Sequence, residues 1–214
     1  MTAPFYTPDP FAERDFGRLT AFLRNHPFAM LVSIDGDSPM VSHLPLLFDP
    51  AGGSQGRLSG HLARANPHWR LLDRGMPALA VFRGPHAYVS PSWYASSAVP
   101  TWGYAVVHVK GMPRIVDDKA ECTAMLRRMT AAYESRLPDP WEFETGDGRL
   151  LDRIVAFEIE VTELQGKFKL SQNRSAEDRR RVIEKLAGSP LASEGELARL
   201  MEDWQSPPEH PFGS

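Results

Sequence analysis

Residues 28–48 read FAMLVSIDGDSPMVSHLPLLF and predict a β-hairpin. Two apolar runs, Phe28 to Ile34 and Met40 to Phe48, flank the turn signal Asp35-Gly36. Asp-Gly between apolar runs is typical of a hairpin, because glycine tolerates the positive φ that a tight turn requires. This stretch therefore places two antiparallel strands near the start of a β-rich core.

Further strand patterns follow as far as residue 170. Residues 155–162 alternate apolar with polar or small side chains, which predicts a strand buried on one side only. Gly84-Pro85 predicts a turn between two more strands. The predicted strands outside the hairpin are Arg57–His61, Ala78–Arg83, His86–Val89, Trp102–Met112 and Val155–Thr162. Short strands with few long helices favour a closed barrel, so the predicted class is mainly β with peripheral helices (α+β).

Helical patterns surround these strands. Asp9-Pro10 predicts a helix start whose apolar face extends to Leu23. Asn66 is predicted to cap a short helix that follows Pro67. Three later helices are predicted over residues 122–133, after Ser175 with Asp178 in capping-box spacing, and after Ser193 with Glu196 in the same spacing.

The chain has no repeat at a fixed period, so the strand-rich part is interpreted as one core. The predicted organisation is a docking helix over residues 1–27, a barrel core over 28–173 and helices over 174–205. The proline-containing residues 206–214 are predicted to form a disordered tail.

Charge and cysteine content limit the function classes. The formal net charge is -3, so no global field attracts nucleic acid or an anionic membrane. The single cysteine, Cys122, cannot form an internal disulfide and has no companion for a structural zinc site. With no secretory or membrane-spanning pattern, the chain is expected in the cytoplasm.

Common catalytic motifs are absent from the sequence. It contains no GxSxG, HExxH or GxGxxG pattern, and Gly166-Lys167 lacks the other residues of a P-loop. The histidines are scattered over different predicted elements and are interpreted as structural. No residue is therefore assigned a catalytic or metal-binding role.

Three other stretches carry binding chemistry. Residues 59–67, SGHLARANP, run from a strand end to a helix start and could hold a phosphate with Arg64, or Arg64 could simply be solvated at a turn. Residues 90–94 and 99–104 supply aromatic rings and hydroxyls for a flat heterocycle, or ordinary core packing. Residues 166–173, GKFKLSQN, place lysines beside amide and hydroxyl groups, a pattern also found at a solvated strand edge.

Together these stretches resemble the PaiB-type family of FMN-binding split-barrel proteins, often described as negative transcriptional regulators. The resemblance covers nearly the whole chain and includes residues 6–8, 25–28, 43–46, 60–67, 82–88 and 166–173. One position departs from it: where the family reads Pro-Thr-Trp-Asn-Tyr, this chain has Gly103 in place of the asparagine. If that amide contacts flavin or partner, its loss weakens cofactor binding.

The resemblance implies an FMN-binding split β-barrel that forms a homodimer, with the flavin in the cleft between two subunits. By position it sets His43 and Leu44 beside the flavin, Ser59 and Arg64 at the FMN phosphate, and Thr101 and Trp102 near the ring. A bidentate arginine fork suits a phosphate dianion. The further candidates are His61 and Asn66, and four residues that either reach the neighbouring subunit's site or close the dimer: Lys167, Lys169, Gln172 and Asn173.

Three functions compete at this point. The first is an FMN-binding transcriptional repressor with DNA as partner. For DNA binding, however, the sequence contains one local basic cluster, Arg179-Arg180-Arg181. The second is a flavin-dependent oxidoreductase acting on a small molecule, in which the cofactor supplies the chemistry. The third is a non-catalytic module for haem or another flat ligand, which would need a histidine axial ligand.

Overall fold

The computed structural model describes residues 5–144 and 151–205, which contain eight strands and five helices. The strands are β1 (Ala12–Glu13), β2 (Phe28–Asp35), β3 (Ser38–Pro45), β4 (Leu47–Asp49), β5 (Arg57–Ala63), β6 (Ala78–Val89), β7 (Thr101–Val116) and β8 (Ile154–Lys169). The helices are α1 (Phe16–Asn25), α2 (Trp69–Asp73), α3 (Lys119–Glu134), α4 (Ala176–Ala187) and α5 (Ala192–Gln205). Within these described ranges, no helix is both long and apolar enough to cross a membrane.

The strands form one sheet in the order β3-β2-β6-β7-β8-β5-β4, and β1 pairs with β8 off this path. The predicted hairpin is confirmed, because β2 and β3 pair antiparallel from Asp35 opposite Ser38 to Phe28 opposite Pro45. A two-residue loop joins them, and its Gly36 has φ 60°, the left-handed conformation that glycine adopts without strain.

The described residues group into two compact units. One comprises residues 5–19, 83–106 and 165–205; the other comprises 20–82, 107–144 and 151–164. The residue ranges of β6, β7 and β8 fall partly in each. The sequence-based division at residues 27 and 173 stays a prediction, and the predicted tail at 206–214 lies outside the described residues.

A helix-on-strand cluster forms the core of the second unit. Helix α3 covers residues 122–133 as predicted, and its buried Cys122, Met125 and Met129 pack with Val116 and Ala156. Asp118 caps the helix by accepting a hydrogen bond from the Glu121 backbone N–H at 2.8 Å. Burial raises the pKa of the Cys122 thiol, so this cysteine is an inert core residue.

The prediction that β8 is buried on one side only is correct at Glu160 and Thr162, which are exposed, and wrong before them. Ala156 and Glu158, on the same face, are as buried as their apolar neighbours. Ala156 packs in the α3 cluster, and Glu158 meets Arg57 at 3.3 Å and Arg114 at 2.9 Å. At these two residues the second face is therefore covered by a helix, and the Glu158 carboxylate is neutralised by arginines.

The prediction of a turn at Gly84-Pro85 is also wrong, since β6 continues through both residues. Proline is tolerated because the register with β2 ends at Phe82, opposite Ala29. Past that point no β2 carbonyl needs the N–H that Pro85 lacks.

The starts of helices α1 and α5 differ from prediction. A single 3-10 turn forms at Asp9–Phe11, but α1 begins only at Phe16, because Asp15 Oδ1 accepts from the Arg18 backbone N–H at 2.7 Å and Glu13 pairs with Gly166 as strand β1. Helix α4 begins after Ser175 as predicted, and the Ser175 hydroxyl caps it by accepting a hydrogen bond from the Asp178 backbone N–H at 3.1 Å. Helix α5 begins at Ala192, so Ser193 lies inside it.

Candidate functional site

Arg64, just beyond the end of β5, is fixed by backbone carbonyls. Its Nε donates to the Asp152 carbonyl at 2.9 Å and its Nη2 donates to the Ile154 carbonyl at 2.8 Å. Its own carbonyl accepts from Trp69 Nε1 at 3.0 Å. A guanidinium has five N–H donors, so three stay available to a ligand at the exposed edge of Arg64.

A cavity of about 290 Å³, the Arg64 cavity, adjoins this side chain. Arg64 and Lys119 bring positive charge to it, and Lys119 is paired with Asp152 at 3.1 Å. Asp73 and Asp117 add two more carboxylates to the lining. Because this cavity holds more acidic than basic groups, a phosphate would have to meet Arg64 at its solvent-exposed edge.

Ser59 does not line the Arg64 cavity. Its side chain is buried in a separate cleft of about 550 Å³, where Arg57 and Glu158 are among its neighbours. The joint placement of Ser59 and Arg64 at one phosphate stays a prediction that rests on the resemblance.

Asn66 and His68 belong to an internal network at the start of α2. Asn66 Nδ2 donates to Ser42 Oγ at 3.0 Å, Ser42 Oγ lies 2.9 Å from His68 Nδ1, and Asn66 Oδ1 accepts from the His68 backbone N–H at 3.0 Å. His68 is fully buried and occupies the cap position of α2 without a side-chain cap bond. Asn66 thus does not cap α2 as predicted. Its side chain instead bonds to the His68 backbone N–H, two residues along the chain, and to Ser42, so both ends of its amide group are already in use.

The buried His68 predicts a pH-dependent stability. Burial lowers the pKa of His68, so the folded protein keeps this imidazole neutral while the unfolded chain binds a proton below about pH 6.5. The free energy of unfolding is therefore expected to fall as the pH drops from 7.5 to 5.5. Urea unfolding at both values measures this, and His68→Gln should show a smaller difference between them. An equal difference in the variant would assign the effect to other groups.

His43, Leu44 and His61 occupy three different environments. Leu44 is buried in the core, whereas the neighbouring His43 points to the opposite face of β3, is exposed and stacks with Phe28 at 6.4 Å between ring centroids. His61 is half-buried, its Nδ1 has no hydrogen-bond partner among the residues that the structure describes, and burial lowers its pKa. His43 is thus the one of the three that offers its ring to solvent.

The exposed face around His43 is apolar. Val41 lies opposite Val32, which lies opposite Leu79, across β3, β2 and β6. Phe28 is 65% exposed and Val41 is 45% exposed. We call the large apolar residues on the outward side of these strands the apolar sheet face: Phe28, Met30, Val32, Ile34, Val41, Leu79 and Val81.

In the first unit, four predicted site residues gather at one cavity of about 230 Å³. They come from the start of β7, the end of β8 and the turn that follows β8: Thr101, Trp102, Lys169 and Asn173. Lys169 Nζ donates to Thr101 Oγ1. The other lining residues of this Thr101 pocket are Phe11, Tyr94, Val99, Gly103, Ser171 and Arg174.

Aromatic and cationic groups dominate the Thr101 pocket and its border. The Arg174 guanidinium lies 4.8 Å from the Tyr94 ring centroid. Trp102 is half-exposed, with its ring centroid 5.8 Å from His86 and 6.5 Å from Tyr88. These distances suit contacts between flat rings and between cations and rings, so the pocket can accept a planar, electron-rich group.

Lys167 and Gln172 are engaged locally. Lys167 Nζ donates to the Tyr6 carbonyl at 2.9 Å and lies 5.7 Å from the Tyr104 ring centroid. Gln172 Oε1 accepts from the Leu170 N–H at 2.7 Å, next to Ser171, whose φ of 61° is unusual for a residue other than glycine. Gln172 therefore holds the turn that presents Ser171 and Asn173 to the pocket.

Gly103 faces the interior. A Cβ at this position would lie 2.9 Å from Leu197 Cδ2 and 3.6 Å from the Lys169 carbonyl, and Leu197 is fully buried. The asparagine of the family pattern would therefore press against Leu197 of α5. Whether this substitution weakens flavin binding stays a prediction.

Some lining residues have no site assignment from the sequence. Tyr94 lies in a quoted aromatic stretch, and Arg174 follows the quoted stretch 166–173 by one residue, so both carried a local signal. No sequence signal indicated Phe11, because it reaches the pocket only when the N-terminal segment is folded into place.

The family model described as "Putative FMN-binding domain" matches residues 5–163. "Protease synthase and sporulation protein PAI 2" of Bacillus subtilis is 34% identical over 202 residues, which are 92% of this chain and 97% of the relative. An uncharacterized protein of Saccharomyces cerevisiae is 36% identical over 122 residues, covering 52% of this chain and 72% of its own length.

Two solved structures share the fold. The FAD and heme binding protein from Mycobacterium smegmatis superposes with TM-score 0.60 at 16% identity, covering 83% of this chain and 80% of its own. The flavocytochrome Anf3 from Azotobacter vinelandii gives 0.59 at 15% identity, with 79% and 75% covered. The predicted split-barrel fold of the α+β class, known from flavin-binding proteins, is confirmed.

Proposed function

We propose that this chain, which belongs to the FMN-binding domain family, holds flavin mononucleotide as its cofactor and carries out redox chemistry with it. The observation that supports this most directly is the Thr101 pocket. Thr101 and Trp102, which the family resemblance sets near the flavin ring, line one cavity with two residues about 70 positions further along the chain. These are Lys169 and Asn173, which the resemblance takes either to the neighbouring subunit's site or to the dimer contact.

The residues of the Thr101 pocket fit one end of a flavin. Trp102 offers a half-exposed ring face, the buried Tyr94 supports the Arg174 guanidinium, and Asn173 and Ser171 offer hydrogen-bonding groups. Lys169, held by the Thr101 hydroxyl, supplies a positive charge. A flavin provides hydride and electron transfer, and a cation beside its pyrimidine end favours the reduced, negatively charged form.

The pocket is too small for the whole cofactor. Its volume of about 230 Å³ lies below the roughly 300–1,000 Å³ of cavities that enclose a drug-sized ligand. The remainder of the flavin must lie against another surface. We propose that a second copy of this chain supplies it, in a homodimer that forms through the apolar sheet face.

Replacing Lys169 by methionine tests the site. We expect FMN to bind wild type, seen as a saturable change in its visible absorption, and to bind Lys169→Met about tenfold more weakly because one charge-assisted contact is lost. The reduction potential of the remaining bound flavin should become more negative.

Lys185→Met is the matched control, since Lys185 is exposed on α4 and lies outside the pocket lining. Equal weakening in both variants would contradict the assignment. A wild type that leaves the FMN spectrum unchanged but gives a Soret band with haem would replace the flavin proposal by the haem-binding one.

A role in transcription is a second proposal, supported by the resemblance and by the sporulation name of the Bacillus relative. The charges favour it less than they favour cofactor binding. Arg180 of the Arg179-Arg180-Arg181 cluster is paired with Glu184 at 2.6 Å, which reduces the positive charge that α4 offers to DNA. Salt-dependent binding to random duplex DNA that Arg181→Gln weakens would support it; the absence of binding at low salt would dismiss it.

A further inference from the structure

The cleft of about 550 Å³ beside Ser59, here called the arginine cleft, has the size and lining of a ligand site. Its volume falls within the roughly 300–1,000 Å³ typical of small-molecule pockets. Four arginines line it, Arg24, Arg57, Arg128 and Arg136, against two carboxylates, those of Asp49 and Glu158. The cleft therefore has an excess of two positive charges.

Arg57 is paired with Glu158 within the cleft. Glu158 is buried and lies 3.3 Å from Arg57 and 2.9 Å from Arg114. Arg114 approaches it from outside the cleft lining and is also paired with Glu121 at 2.5 Å. Because two carboxylates serve these two guanidinium groups, the excess positive charge of the cleft rests on the other three arginines of its lining.

Two further arginines lack acidic partners. Within residues 5–144 and 151–205, neither Arg24 nor Arg128 forms an ion pair. Arg136 donates from Nη2 to the Arg24 carbonyl at 2.5 Å, which holds the segment after α3 against the last turn of α1. Like charges are thus kept close together, an arrangement that an anion would stabilise.

The wall of the cleft contains apolar side chains and the side chain of Tyr133. Leu46 and Phe48 are buried in its wall. The hydroxyl of Tyr133 is buried and makes no hydrogen bond with any residue in the described ranges. An unsatisfied buried hydroxyl costs about 1–3 kcal/mol, so a ligand that hydrogen-bonds to it would gain affinity there.

We propose that the arginine cleft binds a small phosphate monoester with an apolar body, at a site separate from the flavin. Its dianionic head meets the arginines and matches their excess charge, and its apolar body packs against Leu46 and Phe48. Tyr133 donates a hydrogen bond to it. Arginine suits this role because its planar fork binds phosphate oxygens in pairs.

Separation from the flavin is part of the proposal and is supported by the linings. Among the described residues, none that lines the arginine cleft also lines the Thr101 pocket, although Ser59, which the resemblance sets at the FMN phosphate, lines the cleft. FMN is itself a phosphate monoester, so competition between FMN and the ligand decides whether the two sites are distinct.

Phenyl phosphate is the probe, titrated by calorimetry into the FMN-saturated protein and into the flavin-free protein. We expect saturable binding in both, with none for phenol and weaker binding for inorganic phosphate. Arg128→Gln should weaken phenyl phosphate about tenfold. Arg127 precedes Arg128 on α3 and is outside the lining, so Arg127→Gln should leave the affinity for phenyl phosphate unchanged.

Tyr133→Phe separates a binding role from a structural one. Since the Tyr133 hydroxyl has no partner within the described ranges, its removal should not lower the free energy of unfolding, yet it should weaken phenyl phosphate about threefold. The proposal is overturned by an absence of saturable binding, by equal binding of inorganic phosphate, by equal weakening in Arg127→Gln, or by displacement of phenyl phosphate by FMN. The flavin-free titration does not depend on the flavin proposal, so phenyl phosphate can bind there even if FMN does not bind the protein at all.

Discussion

Arg64→Ala is expected to bind FMN about a hundredfold more weakly than wild type while its affinity for riboflavin changes little. The resemblance assigns Arg64 to the FMN phosphate, and a bidentate arginine–phosphate contact contributes about 2–3 kcal/mol, with each 1.4 kcal/mol changing a dissociation constant tenfold. Riboflavin lacks the phosphate, so the substitution removes no contact between Arg64 and this ligand. Titrations of both ligands, followed by flavin fluorescence, measure the two affinities.

The ratio of the two affinities is needed because Arg64 also has a structural task. Its bonds to the Asp152 and Ile154 carbonyls tie the end of β5 to the segment that enters β8, so alanine should also lower the free energy of unfolding by about 1–3 kcal/mol. A purely structural Arg64 would weaken FMN and riboflavin equally. Arg64→Lys should recover part of the phosphate contact but not the forked geometry.

The hairpin and the main helices could be predicted because their signals are local. Asp35-Gly36 fixes the turn between β2 and β3, and the spacing of Cys122, Met125 and Met129 fixes the buried face of α3. Each of these elements is specified by residues within one or two turns of the chain. Tertiary packing then selects the same structure that the local pattern favours.

The errors arose where distant residues override a local pattern. Glu158 alternates like a solvent-facing residue, but Arg57 and Arg114 neutralise it and α3 covers its face. Pro85 is a breaker in sequence, yet β6 passes through it since the β2 register has already ended at Phe82. Neither the arginine partners of Glu158 nor the end of the β2 register at Phe82 can be predicted from a window of ten residues around the position concerned.

The candidate site, too, could be predicted only in part. The sequence supplied Thr101, Trp102, Lys169 and Asn173 through a family resemblance, and the fold brought them to one pocket. It could not supply the arginine cleft, whose charged residues are single arginines on α1, β5 and α3 and in the segment after α3. None of them forms a motif, so their chemistry exists only after folding.

Val41→Glu is expected to convert a dimeric protein to monomers and to abolish stable FMN binding. Val41 is 45% exposed on the apolar sheet face, so the folded monomer can accept a carboxylate there. In the proposed dimer the same carboxylate would be buried opposite Val32 without a partner, and an unpaired buried charge costs several kcal/mol. Sedimentation equilibrium and the visible flavin spectrum, recorded on the same samples, measure both effects.

Leu191→Glu is the matched control, because Leu191 is 58% exposed before α5 and lies outside the apolar sheet face. It makes the same change of charge and polarity and should stay dimeric and flavin-bound. Homodimer interfaces are more apolar than the rest of a protein surface, which is why an exposed sheet face with Phe28 and Val41 is assigned to a second copy. A wild type that sediments as a monomer while it binds FMN tightly would show that one chain suffices for the cofactor.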